Sequence, residues 1–204
     1  MMRIIFATGN EGKMDEIRAI MKDFLIKHDI ELLSLKDAGI DVDIVEDGST
    51  FEENAIIKAE AIAKLTGDIV LADDSGLEVD YLDKAPGIYS ARFLGEDTPY
   101  SIKNQHIIDQ LDGVEEEKRS ARFVCVIACA MPDGEVVAER GTIEGRIAHK
   151  IAGVHGFGYD PIFYVPEYEC TTAELTPDKK NEVSHRGRAL VKMMDRLDRE
   201  GRLC

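Results

Sequence analysis

IIFATGNEGKMDEI, Ile4–Ile17, reads as a strand over Ile4–Ala7, a glycine turn ending in Lys13, and the start of a helix. Ile17, Ile20, Met21 and Phe24 keep helical spacing through Met14–Leu25. Strand, turn and helix in that order open an α/β chain, and free amides at a helix N-terminus attract anions. Yet the turn spells neither common phosphate loop. A Walker A loop is G-x-x-x-x-G-K-[ST]; here Ala7 stands where its first glycine belongs, and Met14 follows Lys13. Asn10 after Gly9 breaks the G-x-G-x-x-G pattern. What stands is T-G-N, two residues and Lys. Thr8 and Asn10 offer side-chain donors, and Lys13 a point charge. An ordinary βα turn with a surface lysine reads equally well from these residues alone.

Working outward, Glu31–Leu35 reads as a second strand, followed by the acidic loop GIDVDIVEDGS. Thr50 and Glu53 form a T-x-x-E capping box at the head of a helix lined by Phe51, Ala55, Ala59 and Ile62. Asn54 and Lys58 share a separate polar face of that helix, expected to be solvated. Ile69–Ala72 is a buried strand stopping at Asp73-Asp74-Ser75-Gly76. Pro86–Phe93 is an irregular loop, and Thr98–Leu111 an amphipathic helix with Pro99 in its first turn. Ala121–Met131 and Val136–Ile147 form a β-hairpin around Pro132-Asp133-Gly134. Gly153–Gly158 is glycine-rich, and Ser184 caps a last helix reaching about Arg199. The expectation is an α/β fold with a mixed sheet in one continuous domain, residues 1–204, arranged as two lobes with a cleft.

Composition narrows the function. The chain has 204 residues, 44% of them hydrophobic, enough for one well-packed core and at most two lobes. No apolar run is long enough for a membrane helix, and Arg3 leads straight into a strand without the regions of a signal peptide. The expected compartment is the cytoplasm, which suits four cysteines without a CxxC pair and histidines without zinc spacing. A net charge of −15 repels nucleic acid and anionic membranes. A small polyanionic substrate then needs a local cluster of Lys and Arg, a divalent cation, or both.

Asp41–Val45 matches the D-x-D-x-[TV] pattern of haloacid-dehalogenase phosphatases, but no apolar strand precedes it. The frame Asp43…Gly48…Asn54 fails as an EF-hand because Val45 and Asn54 fill ligand positions. What is left is an acidic loop from which Glu46 can reach a metal held elsewhere. In LADDSGL, Leu71–Leu77, two carboxylates end an apolar strand, where ligands of open α/β sheets sit. Adjacent carboxylates repel, so the pair calls for a cation, such as Mg²⁺ with waters and phosphate oxygens. A plain Asp-Asp-Ser-Gly turn is the other reading. GFGYDPIF, Gly156–Phe163, offers Phe157 or Tyr159 for stacking on a base, or a turn with two core aromatics. SHRGRAL, Ser184–Leu190, crowds His185, Arg186 and Arg188 into a first helical turn, against the helix dipole.

TGNEGK, TFEENAIIKA, LADDSGLEVD, PGIYSARF, GFGYDPIF and SHRGRAL together resemble, in their order, the inosine triphosphate pyrophosphatases, or XTP/dITP diphosphatases. The resemblance spans about residues 3 to 198. It implies a long twisted mixed sheet flanked by helices, two lobes with a central cleft, and a homodimer. It implies that Thr8, Gly9, Asn10 and Lys13 hold the triphosphate. Glu46 and Asp74 bind Mg²⁺, with Mn²⁺ an alternative and Asp73 beside them. Val45 stands where some relatives carry a second acidic residue, which leaves Glu46 the better ligand. Asp74 is the proton acceptor, Ser75 contacts substrate, and Lys58 and Glu53 lie near the phosphates. Phe157, Gly158, Tyr159 and Asp160 shape the nucleoside pocket, completed around the base by Lys180, His185 and Arg186.

The implied reaction is Mg-dependent hydrolysis of ITP, dITP or XTP to monophosphate and pyrophosphate, cleansing the pool of deaminated purines. One cation is expected to bridge the paired aspartates and the polyphosphate. A nucleotide sensor that binds without hydrolysis would not need the aspartate pair; a pyrophosphatase for other modified nucleotides would.

Overall fold

The computed structural model describes residues 2–203. Strand β1 (Met2–Phe6) leads through the T-G-N turn into helix α1 (Glu11–Lys27). Asn10 starts the helix: its side chain accepts the Lys13 amide at 3.0 Å. Glu11 in the first turn and Lys27 in the last match the helix dipole. Met14, Ile17, Met21 and Phe24 form the buried face. Strand β2 (Ile30–Ser34) then pairs parallel with β1, Ile4 opposite Leu32.

Helix α2 (Phe51–Thr66) begins at Thr50, whose hydroxyl accepts the Glu53 amide at 3.1 Å. Glu53 reaches back to the Ser49 amide and hydroxyl, both at 2.6 Å. The capping box is therefore real, and Glu53 belongs to helix initiation. Gly67 ends the helix with φ +71°, a conformation that favours glycine. Strand β3 (Ile69–Val79) follows, parallel to β1.

β3 does not stop at Ala72. It runs extended through Asp73-Asp74-Ser75-Gly76, which composition alone had marked as a turn. The turn reading rested on residue types alone, whereas cations from neighbouring helices neutralise the carboxylates within the strand. Helix α3 (Tyr100–Gln110) and the hairpin strands β4 (Ser120–Ala130) and β5 (Val136–Ile147) fall where their patterns predict. Three elements were not anticipated: β6 (Phe163–Val165), β7 (Cys170–Thr171) and helix α4 (Pro177–Val183). They are too short to show a period in sequence. Extended Ser184 separates α4 from α5 (His185–Arg199).

Among the described residues the sheet has seven strands in the order β2-β1-β3-β4-β5-β6-β7. It is mixed: β2, β1 and β3 run parallel, while β5, β6 and β7 pair antiparallel. The chain divides into two compact units. The first takes in residues 2–74, 125–141 and 185–203; the second takes in Ser75–Val124 and Thr142–Ser184. Ile4, Phe6, Met14, Ile17, Leu71, Ile127 and Leu190 belong to the first core. Leu77, Ile107, Phe123, Ile147, Ile162 and Phe163 belong to the second. Cys125, Cys129 and Cys170 are free thiols, and Cys204 lies outside the described residues. Among the described residues no helix is long and apolar enough to cross a membrane.

Gly141 on β5 lets α5 approach the first unit's sheet. A Cβ there would collide with the His185 carbonyl oxygen and the Ala189 amide, both rigid backbone. Gly141→Ala should therefore move the start of α5, lowering stability by about 1–3 kcal/mol. Chemical denaturation measures the loss; an unchanged midpoint would show that α5 can shift at no cost.

Candidate functional site

The pleat of β3 sends successive side chains to opposite faces. Asp73 and Asp74, adjacent in sequence, therefore meet different partners, all within the first unit. Asp73 is 1% exposed and takes the Lys13 ammonium on both oxygens, at 3.0 and 2.9 Å. Arg186, at the head of α5, adds Nη2 at 3.4 Å. The same guanidinium grips Glu16 of α1 through Nη1. Burial by itself would raise the Asp73 carboxyl, but Lys13, Arg186 and Lys58 outweigh it and hold it well below the usual carboxylate range.

Asp74 faces α2. Asn54 Nδ2 donates to its Oδ2 at 3.2 Å, and Lys58 Nζ lies 3.8 Å from its Oδ1. Lys58 also pairs with Glu46 Oε2 at 3.0 Å, drawing the acidic loop towards the same ammonium. Burial, with Glu46 and Asp73 adding to it, pushes the Asp74 carboxyl up to about 6 against the pull of Lys58 and Asn54. Burial would lower Lys58, yet Asp73, Asp74 and Glu46 together raise it.

One of the adjacent carboxyls is thus locked as an anion and the other is poised to take a proton, a division of roles that suits acid–base chemistry. One cation was expected to bridge the paired aspartates; in the structure their side chains have different partners. Asp73 is held by Lys13 and Arg186, while Glu46 and Asp74 converge on the Lys58 ammonium. Those two hard oxygen donors suit Mg²⁺, which takes few carboxylates and completes its shell with water and phosphate oxygens. Among the described residues no group of three or more His, Cys, Asp and Glu forms a larger ligand set.

The T-G-N turn is organised from within. Thr8 Oγ1 accepts the Asn10 amide at 3.2 Å, while Asn10 Oδ1 caps α1. Gly9 is open, with nothing within 4 Å of where a Cβ would stand. Thr8, Gly9, Asn10 and Lys13 therefore form one turn, whose lysine reaches Asp73. His185, next to Arg186, is buried at the head of α5.

The remaining predicted residues gather in the second unit, which begins at Ser75. Asp160 is their post: it accepts the Phe157 amide at 2.8 Å, Lys180 Nζ at 2.6 Å and the Thr172 hydroxyl at 2.8 Å. Lys180 also lies 4.8 Å from the centre of the Phe157 ring, a cation–π contact. Gly156, with φ +74°, is required here because a Cβ would strike the Asp160 carboxylate.

Tyr159 is 4% exposed, sets its ring edge-on to Tyr100 at 5.2 Å and donates its hydroxyl to the Ser90 carbonyl at 2.8 Å. Of the two aromatics expected to be able to stack on a base, Tyr159 is a brace. Phe157, half-buried, keeps the stacking reading.

Sequence reasoning passed over Asn54, Glu16 and Thr172. Asn54 was placed on a solvated face, yet it is 1% exposed. It stands three residues after Phe51, which puts it on the edge of the buried stripe; that spacing was the available signal. Its Oδ1 accepts the Gly48 amide at 2.9 Å while Nδ2 serves Asp74, so one amide ties the acidic loop to β3. Glu16 and Thr172 carried no signal, because their partners Arg186 and Asp160 are brought to them by tertiary folding.

Arg186 is 2% exposed between Asp73 and Glu16. Arg186→Ala should cost about 3–5 kcal/mol, the usual result of breaking a buried ion pair. Arg186→Lys should recover only part, since an ammonium lacks the fork that spans two carboxylates. Denaturation midpoints of the three proteins check this, and a full recovery by Lys would refute it.

Comparison with known proteins places this geometry in a family. The Ham1 family model matches residues 4–196. The dITP/XTP pyrophosphatase of Clostridium perfringens is 48% identical, covering 97% of this chain and 98% of the relative. That of Bacillus subtilis is 44% identical, covering 97% and 98%. Among solved structures, the Staphylococcus aureus Ham1 protein superposes with a TM-score of 0.85 at 41% identity, covering 97% of this chain and 99% of its own. A HAM1 protein from Coxiella burnetii gives a TM-score of 0.86 at 41% identity, covering 98% and 100%. With a matching family model over nearly its whole length and relatives this similar, the chain belongs to the Ham1 family.

Proposed function

We propose that this chain hydrolyses the non-standard purine nucleoside triphosphates ITP, dITP and XTP to monophosphate and pyrophosphate, removing deaminated purines from the nucleotide pool. The observation that carries the reading is the charge pattern at β3: Glu46 and Asp74 converge on Lys58, while Lys13 and Arg186 neutralise Asp73. In a chain of net charge −15 this gathers three cations, each paired with carboxylates, at one place on β3. The names of the relatives at 44–48% identity support the substrate class.

In this mechanism the T-G-N turn and Lys13 hold the phosphate tail, with Lys58 adding charge and Ser75 a further contact. Glu46 and Asp74 would hold Mg²⁺ or Mn²⁺, which when bound would supply neutralisation of phosphate charge and activation of water. Asp74 orients the attacking water and accepts its proton. The water oxygen bonds to the α-phosphorus, the bond from that phosphorus to the bridging oxygen breaks, and pyrophosphate leaves. Most of the acceleration comes from positioning and charge neutralisation.

Phe157 stacks on the base, and Gly158, Tyr159, Asp160 and Lys180 keep its loop in place. Arg186, expected beside the base, is instead held by Asp73 and Glu16 and fixes the head of α5, which leaves His185 to donate to the 6-oxo group of hypoxanthine or xanthine. Adenine presents a 6-amino donor there and leaves that donor unpaired, a mismatch that can discriminate by roughly 10⁴–10⁵. Operation of residues 1–204 as one catalytic domain, a homodimeric state and a cytoplasmic location complete the proposal; they rest on the family resemblance.

Purified protein with Mg²⁺ should release pyrophosphate from ITP. Orthophosphate as the first product, or equal kcat/KM for ATP, would overturn the reading. Asp74→Asn should lower kcat by about 10²–10⁴, the range lost with a general base, while melting stays near wild type.

A further inference from the structure

The Pro86–Phe93 loop and α3 both bear on the loop that carries Phe157. All the contacts lie within the second unit. Asn104 of α3 is 2% exposed and donates Nδ2 to the Gly158 carbonyl at 3.1 Å. Its Oδ1 is buried without a hydrogen-bond partner among the described residues. A leucine would fill similar space and remove the unpaired Oδ1, but it would also leave the Gly158 carbonyl without its donor, so stability by itself gains little from an amide there. The amide serves instead to fix one carbonyl, in the residue after Phe157.

The next residue is fixed as well. Tyr159 gives its hydroxyl to the Ser90 carbonyl, and Ser90 is 4% exposed. The Ser90 hydroxyl accepts the Leu77 amide at 2.9 Å and donates to the Gly87 carbonyl at 2.6 Å. Ser90 thereby ties the loop to β3, three residues beyond Asp74. Tyr100, one helical turn before Asn104, supports both residues: its ring meets Tyr159 edge-on and lies beneath Gly158. Lys103 closes the brace, donating to the Ala91 carbonyl at 2.7 Å with its ammonium over the Tyr100 ring. Gly158 itself holds φ +66°, so its peptide needs an external clamp to stay in one conformation.

We propose that Asn104 and Ser90 are positioning residues for base selection: they clamp Gly158 and Tyr159 from two sides and so set where the Phe157 ring stands. The inference rests on the reading that residues 157–160 hold the base. Neither residue touches the phosphate tail in this scheme. Loosening the clamp therefore weakens recognition of the base and leaves recognition of a base-free polyphosphate intact.

The test compares wild type, Asn104→Leu and Tyr159→Phe, the last of which removes only the hydroxyl that reaches Ser90. Each is assayed for pyrophosphate release from ITP and ATP, for inhibition by inorganic tripolyphosphate, and for thermal melting. Asn104→Leu should melt close to wild type, because removing the unpaired Oδ1 offsets the donor lost from the Gly158 carbonyl. Its KM for ITP should rise about tenfold, far more than kcat falls, and the ITP-to-ATP ratio of kcat/KM should drop by a similar factor, the size expected when one hydrogen bond is lost from the support of a selective site. Tyr159→Phe should lower the same ratio, and tripolyphosphate should inhibit all three alike. An unchanged ratio in both variants overturns the inference, as does a parallel loss of tripolyphosphate inhibition, which would mark general damage. Should wild type itself release no pyrophosphate from ITP, the functional reading fails instead, and the two failures are told apart by the wild-type assay.

Discussion

Two adjacent carboxylates in the middle of a buried strand repel each other, and this structure is arranged around their neutralisation. Leaving either charge buried without a partner would cost more than most single interactions supply. The pleat of β3 solves half the problem by turning Asp73 and Asp74 to opposite faces. The helices solve the rest. α1 brings Lys13 and α5 brings Arg186 to Asp73; α2 brings Asn54 and Lys58 to Asp74. Three helices are thus tied electrostatically to one strand, and the glycine at position 141 that admits α5 belongs to the same requirement.

That arrangement makes two chemically unlike groups from two identical side chains. Asp73 is a fixed anion, useful for holding cations in place. Asp74, buried and crowded by Glu46, has its carboxyl pushed up to about 6 against the pull of Lys58. The Lys58 ammonium stands where Glu46 and Asp74 converge. Cys125, fully buried behind the strand, feels the same field: burial, with Asp73 adding, pushes its thiol up to about 12. It packs as a small apolar residue and not as a nucleophile.

The second unit shows a different strategy. Here one carboxylate, Asp160, organises a loop by accepting from a backbone amide, an ammonium and a hydroxyl at once. Glycines at 156 and 158 supply backbone conformations that side chains would strain, and Tyr159 lends its ring and hydroxyl to the scaffold. A loop held at so many points can present a single half-buried aromatic in a defined place. Preorganisation of this kind favours selectivity, because little ordering remains to be done on binding.

Local chemistry was enough to read much of this in sequence. The strand–turn–helix opening, the Thr50 capping box, α3 and the β4–β5 hairpin follow from periodicity, capping residues and turn residues, all of which act within a few positions. Lys58, Asp73, Asp74, Phe157 and Asp160 were also named in advance, because their motifs occur in a specific order; Glu46 was read from the acidic loop and Lys180 came with the family resemblance. What those residues touch was beyond reach. Asp-Asp-Ser-Gly looks like a turn until Lys13, sixty positions upstream, and Arg186, more than a hundred downstream, neutralise the first aspartate and let the strand continue. Asn54 looks solvated until Gly48 and Asp74 claim both ends of its amide. Sequence by itself determined which elements form and which side chains carry charge. Only the tertiary structure decided which charges meet, since burial and long-range partners, not residue type, set the energy of a carboxylate.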